Sequence, residues 1–154
     1  MPTVSPQLGG VFDPTRDVSL SGNLQATGTI RSSGATGVGG IGYDTGAGAS
    51  VTQITSRSTA VTCNGLCGRI TTDSTSLAAE AAASFTVNNS AVAIGDVVVV
   101  SQRSGAIGVM TDVVVIAVSA GAFVLAVMNG NVASGTAETG AIVLNFAVIK
   151  AVST

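Results

Sequence analysis

Three runs of β-branched and aliphatic residues, at 97–100, 113–118 and 123–128, constrain this chain more than any other feature. They fall within thirty-odd positions and are separated only by short Gly/Ser segments. Valine and isoleucine are stiff at χ1 and fit a pleated surface, so each run reads as a strand. The runs are almost continuously apolar rather than alternating. That pattern predicts strands covered on both faces, in a sandwich core or against another subunit, with Val114 and later Phe146 among the core residues.

The rest of the chain punctuates in the same way. Residues 51–56 alternate, and 59–63 and 66–72 flank Asn64-Gly65, the strongest two-residue turn signal, which predicts a hairpin. Residues 77–83 favour a helix by propensity but are short and lack an apolar stripe, so they read as a loop before a strand at 82–88. Asn88-Asn89-Ser90 predicts a cap for a single helical turn over 91–94, ended by Gly95. Ser119 to Ala122 and Asn129-Gly130-Asn131 are turns, 133–140 is an exposed loop, and 141–152 is the last strand. Turn signals every eight to twelve residues predict an all-β, antiparallel β-sandwich of about eight strands, jelly-roll-like, over 51–154.

Residues 1–50 look different. The first 17 hold all three prolines, Pro2, Pro6 and Pro14. Proline fixes φ and lacks a donor, so this is an extended arm. Residues 18–31 alternate weakly, and 32–50 are rich in Gly, Ser, Ala and Thr, the composition of a linker or of tight turns. Gly37-x-Gly39-x-x-Gly42 matches the dinucleotide fingerprint formally, but a Gly-rich tract follows it and no acid sits about 20 positions on.

Composition narrows the function. Only 9% of the 154 residues are charged, against about 25% in ordinary domains, and the mean hydropathy is +0.60. A spanning helix needs about 20 consecutive apolar residues; the longest apolar runs here are under ten. A membrane barrel carries aromatic girdles; aromatics are 3% of this chain. The remaining account is an oligomer that buries surface between subunits. Net charge is −2 and the six cations are scattered, so no nucleic-acid footprint is present. The N-terminus does not read as a secretory signal, which points to synthesis in a cytoplasm.

There is no histidine, which removes the commonest general base and most zinc sites. The acids Asp13, Asp17, Asp44, Asp73, Glu80, Asp96, Asp112 and Glu138 fall at expected loops and strand ends, as solubilising charges do. No catalytic, cofactor-binding or metal-binding set emerges, and no enzyme is expected; a pair of carboxylates meeting in space, as in glycosidases, is the one catalytic arrangement left. Cys63 and Cys67 flank the Asn64-Gly65 turn. They are either two free thiols or, with Cα atoms about 5.5 Å apart, a disulfide formed after release from the cell.

Residues 19–30, 40–53 and 144–152 resemble the shaft-like repeats, the block before the β-domain, and the end of that domain in head-fibre and capsid-decoration proteins of tailed bacteriophages. The resemblance implies a non-enzymatic virion surface protein, commonly a homotrimer, whose partners are its own copies and the major capsid protein. The arm, with Val11, Phe12, Asp13, Pro14 and Arg16, is then the candidate capsid anchor. The alternative is a tail-fibre or receptor-binding module recognising a host surface glycan.

Overall fold

The computed structural model describes residues 41–43, 46–132 and 135–151. The chain divides into two units, Met1–Ile41 and Gly42–Thr154, and every described strand belongs to the second. The expected arm residues and the fingerprint glycines Gly37 and Gly39 lie outside the described residues.

The second unit is all-β, with eight strands and no helix among the described residues. They are β1 (Gly48–Thr52), β2 (Val61–Thr62), β3 (Cys67–Thr71), β4 (Ala82–Asn88), β5 (Val97–Ser104), β6 (Thr111–Ser119), β7 (Ala122–Asn129) and β8 (Val143–Ile149). Two four-stranded sheets form, in the orders β1-β3-β8-β5 and β2-β4-β7-β6. They face each other across one core that holds Ile70, Leu144, Phe146 and Val148 from the first sheet and Phe85, Val87, Phe123, Leu125 and Val127 from the second. The rings of Phe123 and Phe146 meet at 5.2 Å and 57° across the layers, in the range favoured for tilted aromatic pairs. Gly68 makes room for that contact: a Cβ there would fall 2.5 Å from the Phe146 ring.

The sheets are mixed rather than antiparallel. β1 pairs with β3, and β2 with β4, in parallel; the other four pairings are antiparallel. The first four strands alternate between the sheets, so each returns to its own sheet pointing the same way. A jelly roll, built from antiparallel Greek keys, does not have this arrangement. The alternation also overturns the expected hairpin. β2 and β3 belong to different sheets, and Asn64-Gly65 carries the chain between them. The Asn89 side chain accepts from Gly65 N and donates to Gly65 O at 2.8 Å, and Ser90 N donates to Asn64 Oδ1 at 2.9 Å. The turn residues are thereby tied to the loop after β4 and do not close a two-residue hairpin.

Three further expectations change. β1 starts at Gly48, inside the stretch expected to be linker, because Gly48, Ala49 and Ser50 pair through backbone with Cys67, Gly68 and Arg69. The single helical turn at 91–94 is replaced by two successive turns, closed by Val92 N to Asn89 O and by Asp96 N to Ala93 O. Of the three long runs, only β7, which has β4 and β6 on either side, holds no exposed residue. β5 and β6 end their sheets, so Val97, Val99 and Ile116 are exposed and Val114 is half-buried on an outer face.

Candidate functional site

The acid expected to be a solubilising loop charge, Glu138, is completely buried. Its segment is fixed by an isolated antiparallel bridge to Leu77, with both backbone bonds at 2.9 Å. Its carboxylate reaches about thirty positions back along the chain. Oε1 accepts from Gly140 N at 2.6 Å and Ile107 N at 3.1 Å; Oε2 accepts from Gly108 N at 2.8 Å and the Thr111 hydroxyl at 2.5 Å. Burial alone would raise this carboxyl, but the bonds from Thr111, Gly140, Ile107 and Gly108 prevail and bring it down to about 2. The clamp depends on close backbone approach. A Cβ on Gly140 would sit 1.9 Å from Gly105 O, so no other residue fits there without displacing the loop.

Arg57, also buried, locks the other side. Its Nη2 donates to Gly140 O at 2.9 Å and Glu138 O at 3.2 Å, Nη1 to the Thr72 hydroxyl at 3.3 Å, and Nε to Thr75 O at 2.5 Å. The guanidinium is satisfied by carbonyls and a hydroxyl, not by a carboxylate. Burial lowers its pKa, opposed by attraction to Glu138 and Asp73. Gln53 braces the same region, donating to Thr59 O at 2.7 Å and Arg57 O at 3.0 Å and accepting from Asp73 N at 3.1 Å.

The clamp fixes the backbone of residues 105–110, the connection from β5 to β6, and the first residue of β6, Thr111. Three of the connection's side chains stand in solvent: Val109 is 89% exposed, Ile107 68% and Met110 55%. A buried charge therefore holds three large apolar side chains out in solvent. The loop also joins two edge strands that lie against each other across the open side of the sandwich. β5 runs 8 residues and β6 runs 9, with no proline, and each carries one charged residue, Arg103 and Asp112. Val97 and Val99 on β5, with Ile149 opposite Val97 on β8, add exposed apolar surface. Long edges with so little charge are usually blunted or covered, because their free N–H and C=O groups pair with other chains.

Comparison with known protein families, curated proteins and solved structures returns no match.

The remaining expected site residues separate rather than converge. Cys63 and Cys67 are both free. Cys63 belongs to the core between the sheets, whereas Cys67 is half-buried and borders a depression on the outer face of the β1-β3-β8-β5 sheet. The two thiols therefore sit in different surroundings, and no bond joins them in this structure. Burial pushes the Cys63 thiol up. Asp96 is held by Lys150 and by the backbone N–H groups of Ala93 and Ala151, which lower its pKa. Asp73 is lowered chiefly by the Thr75 hydroxyl and N–H. These carboxylates close loops. Among the described residues no three His, Cys, Asp or Glu side chains gather as a metal site would require, and no helix is long and apolar enough to cross a membrane.

The Glu138 clamp left no mark in the sequence beyond a Glu and a Gly two positions on. Its donors come from a loop that only the fold brings near.

Proposed function

We propose that this protein is a non-enzymatic structural component of a tailed-bacteriophage particle, a homotrimer that binds the outer capsid surface and stabilises or decorates it. The observation that carries the reading is the Ile107–Val109–Met110 loop, held rigid by Glu138 and set between two long bare edge strands. A preorganised apolar projection gains affinity because little ordering remains to be done on binding. A free monomer that left it in water would invite aggregation. Packing between copies covers it, and fits a chain with only 9% charged residues. The virion setting comes from the resemblance to head-fibre and decoration proteins, with Val11, Phe12, Asp13, Pro14 and Arg16, ahead of the β-domain in the sequence, as the capsid contact.

Two measurements test this. Light scattering of the purified chain should give a trimer of 3 × 14.9 = 44.7 kDa; a monomer stable at micromolar concentration removes the oligomer. Quantitative mass spectrometry of purified particles should find the protein at a large fraction of the capsid-protein copy number. A handful of copies per particle would instead favour the fibre reading.

A further inference from the structure

The described residues contain four cations, Arg57, Arg69, Arg103 and Lys150. Two are committed: Arg57 is buried against carbonyls and Lys150 pairs with Asp96. The other two, Arg69 on β3 and Arg103 on β5, are exposed and make no hydrogen bond or ion pair to any described residue. Both border one depression of about 510 Å³ on the outer face of the β1-β3-β8-β5 sheet. Ser50 and Asn145 also line it, and no carboxylate does.

The register explains how the charges meet. Ser50 pairs with Arg69, Arg69 with Asn145, and Asn145 with Ser101, two residues before Arg103 on β5. A hydroxyl, a guanidinium and an amide therefore stand in one cross-sheet row, with the second guanidinium at its end. Neighbouring strands are about 4.8 Å apart, so the backbones of β3 and β5 are separated by roughly 10 Å.

We propose that this depression is a docking site for a carboxylate-rich, extended segment of a partner protein. The lining offers fixed positive charge and polar donors with no internal counter-charge, and guanidinium groups match carboxylates in a planar, two-bond geometry. The depression is shallow, so one exposed ion pair contributes only about 0–1 kcal/mol and would not retain a small free anion. An extended acidic segment presents alternate side chains about 7 Å apart on one face and can engage both arginines at once. Nucleic acid fits less well. No exposed aromatic borders the depression for base stacking. The lining contains no residue of the apolar loop.

The test uses the full chain and fluorescein-labelled hexaglutamate, followed by fluorescence anisotropy at low salt. Arg69→Gln and Arg103→Gln should each weaken binding about fivefold, which is close to 1 kcal/mol. The double variant should abolish binding and added salt should weaken it, while Lys150→Gln should leave it unchanged. Both arginines are exposed, so the variants should melt with the parent, and a melt on each sample checks this. No binding at about 1 mM protein, or binding indifferent to both arginines, overturns the proposal. A thymidine hexanucleotide that binds more tightly than hexaglutamate through the same two arginines overturns it in favour of nucleic acid.

Discussion

Replacing Glu138 by glutamine tests the central physical claim, that one buried charge holds the exposed loop. Oε1 and Oε2 together accept from Ile107 N, Gly108 N, Gly140 N and the Thr111 hydroxyl. A glutamine must turn one of these acceptors into an NH2 group. Whichever way it sits, at least one buried backbone N–H then faces another donor, a loss of about 1–3 kcal/mol. The surviving bonds become neutral ones, about half as strong. The sum is about 3 kcal/mol, at the low end of what breaking a buried charged network costs. For a domain of this size about 4 °C of Tm accompanies each kcal/mol, so Tm should fall by roughly 12 °C. Amide exchange makes the assignment specific. Ile107, Gly108 and Gly140 should exchange much faster in Glu138→Gln, whereas Val148, in the core and bonded to Leu66 O at 2.7 Å, should not. The pH dependence has a definite sign. The folded carboxyl lies near 2, below its ordinary 4.5, so its stabilisation is present above about 4.5 and is lost as pH falls towards 2. The variant should lack that component of acid destabilisation. A Glu138→Gln protein that melts within about 3 °C of the parent, with Ile107 and Gly108 still protected, would refute the clamp.

Val109→Asp should leave the stability of the chain within about 0.5 kcal/mol of the parent, because the side chain is exposed, yet reduce oligomerisation measured by light scattering. An oligomer unaffected by that change would place the contact elsewhere. Phe146→Ala should lose about 3–5 kcal/mol through the cavity and the broken Phe123 contact, read by chemical denaturation; a loss below about 1 kcal/mol would contradict the packing between the sheets. In a thiol-titration assay Cys67 should react in the native state and Cys63 only after unfolding, since Cys63 is buried with its thiol pushed up; equal rates would mean the two sit in similar surroundings.

The amino-acid sequence by itself determined that the folded part is all-β and where most strands lie. Strand choice is local: β-branched runs cannot sit well in helices, and Gly, Asn and Ser punctuate them, so β4, β5, β6, β7 and β8 overlap the expected segments closely. Pairing is not local. Asn64-Gly65 carries a hairpin signal, yet β2 and β3 part into different sheets because the core is shared between layers and each apolar face must find its place in it. Burial of a run depends likewise on neighbours. β6 and β7 are nearly equally apolar, but β7 has a strand on each side and β6 only one. The Glu138 clamp and the arginine-lined depression lay furthest from view. Glu138 meets donors at positions 107, 108 and 111, and Arg69 shares a depression with Arg103. These residues are distant along the chain, and only the pairing of strands and the packing of the loops between them decided that they would be neighbours.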